Sequence, residues 1–437
     1  MSVQEIRSIN LSEKFFLVSK ENTYFLYSPL DKIALKFQTE GMELLLKHFV
    51  EGEENLELEK FLKEKGLGEN HPMVPIYPDR YKLNTLTISL TSKCNLRCIY
   101  CYARAGLDSN TMDFETAKSA VDFVIKNATE LNKDKIKISF HGGGEALVVL
   151  TLLKKVVEYA KSSWDGIIHF SIVTNGTLLT EKVVKYFKEN SFSVTVSMDG
   201  PKDIQDIQRP KANGSGSFDD CMNGLQLLKD NNFRNVIIRS TITEVNVNRI
   251  NEMLDIAKEM GASLKVEPIT PTGRGEEDFE NLSSEVFLQH YGEARKYANE
   301  IGVEITSTYD HDFTPRTNFC GGNGRMFCVL PRGSITSCSR VTREDDVLAD
   351  QYIIGEMCES EVKIDQQKLS RLQQLSVLNF DQCVNCFAKW YCAGGCHATR
   401  LSNNMVMPKE HCEIVKSILW DNLVYDGEKG ANHGQTL

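Results

Sequence analysis

Cys94, Cys98 and Cys101 stand at C-x3-C-x2-C spacing, directly behind a β-branched, alternating run that reads as a strand over 85–91. Three thiolates this close can hold three irons of a [4Fe–4S] cube and leave the fourth iron open to a small ligand. An open iron means chemistry rather than scaffolding. The other reading of closely spaced cysteines is a structural zinc knuckle completed by a distant ligand. Zinc sites usually carry C-x2-C pairs on turns, whereas here the spacing is unequal and an aromatic, Tyr100, precedes the third thiol.

A second constellation follows the next strand, His141-Gly142-Gly143-Gly144-Glu145-Ala146. Glycines at a strand exit let backbone approach a ligand closely, and carbonyls exposed there can accept bonds from an amine. Read alone, the run is a tight strand-to-helix turn. Thr174-Asn175-Gly176 and Ser197-Met198-Asp199-Gly200-Pro201 end two further strands with short polar side chains. Nine of the thirteen cysteines lie between Cys320 and Cys412, including Cys383-x2-Cys386-x5-Cys392-x3-Cys396. That segment alone also suits a zinc ribbon. Cys221, inside a helical pattern, reads as a buried free thiol.

The elements that must position these residues follow from periodicity. Apolar runs at 85–91, 136–141, 168–174, 193–198, 235–242 and 263–269 alternate with amphipathic segments such as 115–130, 180–189, 246–260 and 284–299. This is the βα repeat of a parallel sheet, and six such units suit a partial barrel with its site at the C-terminal strand ends. In front, 15–18, 23–27 and 33–37 read as strands, then Met42, Leu45, Leu46 and Phe49 recur at helical spacing, and Asn55 can cap a second helix. Gly66 to Asp79, rich in Gly and Pro, reads as a linker. From about Ile305 the alternation is lost, and metal is expected to organise the cysteine-dense remainder. The expected fold is α/β: a partial (β/α)6 TIM-like barrel over 81–304, a small strand-and-helix module with linker over 1–80, and a cysteine-rich region over 305–437.

Composition bounds the partners. A formal charge of −10 without a basic stripe argues against nucleic acid. The N-terminus lacks a basic start with an apolar core, and no apolar run reaches the roughly 18 residues of a membrane span. Location in the cytoplasm is expected, and a reducing compartment would keep so many cysteines available to metal.

The motif C-x3-C-x-aromatic-C resembles the signature of the radical S-adenosylmethionine (SAM) superfamily. The resemblance implies that the open iron binds the amino and carboxylate groups of SAM, whose reductive cleavage gives a 5′-deoxyadenosyl radical. Gly143, Gly144 and Glu145 resemble the family's Gly-Gly-Glu motif for the SAM amine, with Ala146 departing from the usual Pro. It implies that Ser197 and one of Arg209 and Arg239 hold the SAM carboxylate, a structural ion pair being the other role for either arginine. Asn175 joins them at the barrel mouth, with Tyr100 and Glu267 at the adenine and ribose end. Cys94, Cys98 and Cys101 carry the catalytic cluster.

Cys320, Gly333-x4-Cys338, the Cys383–Cys396 segment and Cys412 resemble the SPASM domain of radical SAM peptide and protein maturases, which implies two auxiliary [4Fe–4S] clusters and three in all. By the family's connectivity, Cys383, Cys386, Cys392 and Cys412 close one. Cys320, Cys338 and Cys396 bind the other, with Cys328, Cys358 or an open iron as its fourth position. Trp390-Tyr391 pack against a cluster or lie on an electron path, and His397 reads as a satisfied structural histidine. The front module resembles winged-helix-type leader-recognition elements, a barrel-capping extension being the alternative. Together these imply a maturase of the sactisynthase, ranthipeptide or cyclophane kind, installing a thioether or carbon–carbon cross-link in a ribosomally made precursor peptide. Its partners would be that peptide with its leader and a reductant such as flavodoxin or ferredoxin. The rivals are a peptidyl epimerase, a sulfatase-maturase-like enzyme and a non-catalytic iron–sulfur carrier. Sulfatase maturases carry an Asp directly after the cysteine matching Cys338, where this chain has Ser339.

Overall fold

The computed structural model describes residues 6–12, 14–68, 81, 83–358 and 361–428. Contacts divide the chain into two units, one of Met1–Tyr77, Thr308–Cys320 and Gln374–Leu437, the other of Pro78–Ser307 and Gly321–Gln373.

In the first unit β1 (Arg7–Asn10), β2 (Phe16–Lys20), β3 (Thr23–Ser28) and β4 (Ile33–Phe37) form an antiparallel sheet in chain order. Three of these strands match the alternating runs in the sequence. β1 does not, because all four of its residues are exposed and only its pairing with β2 makes it a strand. α1 (Thr39–Leu46) ends in a π-type turn, and α2 (Leu56–Glu64) starts where the Asn55 side chain accepts a 2.9 Å bond from the Leu58 N–H. The period-two pattern buries both faces of the sheet. One face sets Leu17, Leu26 and Leu35 against Leu45, Leu58 and Leu62. The other packs Phe16, Phe25 and Tyr27 against Tyr391, Leu419 and Trp420 of the C-terminal region, with Phe25 edge-on to Trp420 at 5.5 Å. Most of the linker, residues 69–80, lies outside the described residues.

The second unit is built on an eleven-stranded sheet. β5 (Thr85–Ile88), β6 (Lys135–Phe140), β7 (Ile167–Thr174), β8 (Ser193–Ser197), β9 (Ile237–Ile242), β10 (Ser263–Pro268) and β11 (Ile305–Ser307) run parallel in chain order. Between them lie α3 (Phe114–Glu130), α4 (Leu150–Ser163), α5 (Glu181–Glu189), α6 (Lys202–Gln208), α7 (Phe218–Asp230), α8 (Ile250–Met260) and α9 (Ser284–Ile301). Asp113 and Thr180 cap α3 and α5 with side-chain oxygens, and left-handed Gly261 and Gly302 end α8 and α9. The fold is thus α/β with a mainly parallel sheet, followed by a cysteine-rich region.

The sheet continues beyond Ile305, where the sequence loses its βα alternation. β11 adds a strand at one edge, and β12 (Cys328–Val329) pairs in parallel with β5. From β12 the sheet runs on antiparallel through β13 (Ser334–Thr336), β14 (Ile353–Cys358) and β15 (Glu361–Ile364), accompanied by α10 (Ala349–Tyr352) and α11 (Gln366–Gln373). Strands of two or three residues are too short to leave a periodic signal. The first unit closes with α12 (Lys389–Cys392), α13 (His397–Ser402) and α14 (Lys409–Glu428). Among the described residues no helix is long and apolar enough to cross a membrane.

Candidate active site

The loop leaving β5 carries Cys94, Cys98 and Cys101; Cys101 adds to the burial that raises the proton affinity of Cys94, and both add to that of Cys98, so the three stand together. Burial pushes Cys94 up to about 11 and Cys98 up to about 12. Such thiols stay neutral at pH 7 unless metal takes the proton's place, which is how a buried thiolate site is normally filled. Three connections hold the loop in shape. Arg97 and Ile99 N–H groups donate to the Pro210 and Gln208 carbonyls, at 2.7 and 3.0 Å. Asn95 donates to the Thr177 hydroxyl at 2.7 Å and accepts from Asn175 Nδ2 at 2.9 Å, tying the loop to the end of β7. Arg274 donates from Nη1 to the Cys98 carbonyl at 2.7 Å and from Nη2 to the Ala105 carbonyl at 2.9 Å. Nothing in the sequence pointed to Arg274, since it acts across 176 residues.

The glycine run after β6 lies flat against this loop. The Gly144 N–H donates to the Thr91 carbonyl at 2.8 Å, and a Cβ on Gly144 would run into the Lys93 carbonyl. Gly143 adopts φ +68°, and its Cβ would meet the Thr91 carbonyl at 2.9 Å. Neither position admits a side chain. Glu145 is 3% exposed, and its carboxylate is saturated by the Leu147 N–H, the Thr174 hydroxyl and the Asn175 N–H at 2.8–3.1 Å. Burial raises its pKa while these bonds oppose the rise. Glu145 therefore braces β6 to β7, and the groups left to meet a ligand are glycine backbone.

The two arginines divide their roles. Arg209, at the end of α6, donates Nε and Nη2 to both oxygens of fully buried Asp199, at 2.9 and 3.1 Å, and stacks over Tyr100 at 5.3 Å. Asp199 also accepts from the Tyr100 hydroxyl and the Thr241 N–H. Arg209 is thus half of a structural ion pair, with Nη1 reaching only to 4.0 Å from Cys98 Sγ. The guanidinium of Arg239, half-buried on β9, has no hydrogen-bond or ion-pair partner among the described residues. Its charge adds to the burial that lowers the pKa of His141 and opposes the burial that raises that of Tyr102, so it lies near both rings. Ser197 ends β8 half-buried, and Glu267 on β10 pairs with Lys265 at 3.2 Å. Tyr102 was missed by the sequence reading. Burial chiefly, and then Cys101, Cys328 and Cys338, raise its pKa, so it lies near both the first cysteine loop and the β12–β13 hairpin.

Cys328 on β12 faces Thr336 across the hairpin, two residues from Cys338, and burial with the Cys338 charge pushes its thiol up to about 12. Cys358 instead ends β14 beside Glu356 and Lys363. Cys221 is wholly buried, its thiol donating toward the Ser197 carbonyl at 4.0 Å. Cys320 and Cys396 belong to the first unit.

Within that first unit Cys383, Cys386 and Cys412 all bear on Cys392, whose thiol is raised chiefly by burial. The four therefore stand as one group. Among the described residues no three His, Cys, Asp or Glu side chains converge as on a single metal ion. A four-iron cube spreads its thiolates over separate irons. Tyr391 belongs to the apolar core, its hydroxyl accepting from the His311 N–H at 2.8 Å. His397 is 1% exposed with neither ring nitrogen hydrogen-bonded, so it is not the satisfied histidine that the sequence suggested.

The family model for the radical SAM superfamily matches residues 88–282. An uncharacterised protein of Methanocaldococcus jannaschii is 32% identical over 257 residues, spanning 58% of this chain and 84% of its own. The radical SAM cyclopropyl synthase TigE of Paramaledivibacter caminithermalis is 23% identical, over 77% of this chain and 73% of its own. A cysteine-type anaerobic sulfatase-maturating enzyme of Clostridium novyi is 26% identical, over 78% and 95%. Among solved structures, native anSMEcpe with bound AdoMet and Cp18Cys peptide has a TM-score of 0.63 at 21% identity, covering 79% of this chain and 99% of its own. Streptococcus suis SuiB bound to precursor peptide SuiA has a TM-score of 0.52 at 14% identity, covering 91% and 96%.

Proposed function

This chain belongs to the radical SAM superfamily and is a radical SAM enzyme, and from that premise we propose that it is a peptide maturase. Its reaction would be abstraction of one hydrogen atom from a ribosomally made precursor, then closure of an intramolecular thioether or carbon–carbon bond as the second hydrogen leaves as a proton and its electron passes to an auxiliary cluster. The family implies SAM and a [4Fe–4S] cluster, which together supply a 5′-deoxyadenosyl radical when bound. The donor set fits them: three neighbouring thiols, a glycine run without room for side chains, and an arginine without a partner. In this reading Cys94, Cys98 and Cys101 hold the cluster, and the Gly143–Gly144 backbone accepts from the SAM amine. Arg239, rather than Arg209, takes the SAM carboxylate beside Ser197. Asn175 steadies the loop, and Tyr100 and Glu267 flank the nucleoside end.

The observation that carries the maturase reading is the second thiol group, Cys383, Cys386, Cys392 and Cys412, as the ligand set of one auxiliary cluster. Cys328 and Cys338, neighbours in the second unit, are proposed as ligands of another. Cys328 is preferred to Cys358 because it neighbours Cys338. In the functional division 1–80, 81–304 and 305–437, the front sheet offers the exposed edge strand β1 to an extended leader peptide. A flavodoxin or ferredoxin would deliver the electron. The similarity to TigE favours an oxidative bond-forming outcome. The similarity to a sulfatase-maturating enzyme supports the rival protein-modifying reading, against which stands Ser339 after Cys338.

The test is anaerobic turnover of the reconstituted protein with SAM, a reductant and each short peptide encoded beside its gene, the peptide carrying deuterium on carbon. Deuterium appearing in 5′-deoxyadenosine supports abstraction from that peptide. SAM cleavage that no neighbouring peptide stimulates or labels contradicts it.

A further inference from the structure

Arg400 on α13 is 1% exposed, and among the described residues no Asp or Glu pairs with it. Its partners are the Gly394 carbonyl at 2.6 Å, the Met405 carbonyl at 2.9 Å, Gln382 Oε1 at 3.2 Å and the Phe380 ring at 4.1 Å. These neutral groups orient a guanidinium without neutralising it, and a buried unpaired charge is costly. The remaining Nη2 donates to Cys383 Sγ at 3.2 Å. The counter-charge is therefore the sulfur, or whatever the sulfur binds.

Two further sulfurs of the same group are met by an N–H as well. His411 Nε2 lies 3.6 Å from Cys392 Sγ, and a thiolate only accepts, so that contact requires the Nε2–H tautomer. Gln382 Nε2 donates to Cys412 Sγ at 3.8 Å. Three of the four ligand positions thus have a side-chain donor. Hydrogen bonds and positive charge at the sulfurs of an iron–sulfur cluster stabilise its more negative, reduced form.

We propose that Arg400, His411 and Gln382 are positioning residues that raise the reduction potential of the cluster held by Cys383, Cys386, Cys392 and Cys412, with Arg400 contributing most. This rests on the reading of those cysteines as a cluster site.

The test is a redox titration of the anaerobic holoprotein, followed by electron paramagnetic resonance of the reduced auxiliary cluster, without substrate. Arg400→Lys keeps the charge and loses the fork, and His411→Phe removes one donor. Arg400→Lys is expected to lower the reduced-to-oxidised ratio at fixed poise roughly tenfold, about 59 mV for a one-electron couple. His411→Phe should shift it less, in the same direction, and the first cluster's potential should stay put. Because a buried arginine can be needed for folding, a second measurement uses the unsubstituted protein: isotopically labelled arginine should give a nitrogen hyperfine coupling to the reduced cluster. An unmoved potential in iron-replete variants, or a silent arginine nitrogen, overturns the proposal. Cys386→Ala should remove the iron of one cluster; if iron content is unchanged, the cluster assignment has failed and the proposal falls with it.

Discussion

At Gly144 a single methyl group decides whether two loops can meet. Its added Cβ would collide with the Lys93 carbonyl, which is backbone and cannot swing away. Gly144→Ala is expected to push the glycine run off the cysteine loop and to abolish measurable SAM binding by equilibrium dialysis, with the parallel sheet intact by circular dichroism. The arginines should separate by readout. Arg239→Gln removes a partnerless charge, so SAM affinity should fall ~10-fold or more while thermal stability and iron content hold, because a lost charge-assisted pair is worth about 1.5–3 kcal/mol. Arg209→Gln leaves Asp199 buried without its counter-ion and should cost roughly 3–5 kcal/mol of stability. Equal stability losses in both variants would contradict this division. The sequence made the two arginines equivalent candidates, because their difference is a matter of who already holds the guanidinium. Glu145 was legible as important but not as saturated, since its three donors come from the segment after it and from a strand end 29 and 30 residues away.

The cysteine loop keeps its shape through elements that the motif does not contain. Arg274 fastens both the Cys98 and Ala105 carbonyls, so Arg274→Met should leave the fold in place and make the first cluster labile. Iron release to a chelator, compared with the unsubstituted holoprotein, should quicken severalfold, and an unchanged rate would remove Arg274 from the account. The parallel strands β5 to β10 were readable because each carries alternating, largely β-branched apolar residues between amphipathic helices. β1, β11 and β12 were not, being short and defined by their neighbours rather than by their own pattern. The shared core of the front sheet and the C-terminal helices was equally hidden. Phe25 and Trp420 lie nearly the whole chain apart, and local periodicity carries no information about such a pairing.

At the scale of the molecule, buried polar chemistry ties stability to pH. His141 sits near Arg239, and burial first, then that charge, depresses its pKa from 6.5 to about 4. The unfolded chain binds a proton there between those values and the folded chain does not, so this contribution is complete above pH 6.5 and is lost as pH falls toward 4. Thermal unfolding of the metal-free protein should show that loss, and His141→Gln should reduce the difference between pH 7 and pH 4.5. If the variant is just as acid-labile, the histidine is not responsible. The proposal of widest scope is the reaction itself, cross-linking of a ribosomally made peptide. The most direct test is the intact mass of each short peptide encoded beside this gene, after anaerobic co-expression with the protein. Loss of two hydrogens per event is expected in one of them, with fragmentation locating a new intramolecular bond, and no change when Cys98→Ala replaces the native chain. Deuterium at an α-carbon after expression in heavy water, with no loss of hydrogen, would contradict cross-linking and make the enzyme an epimerase.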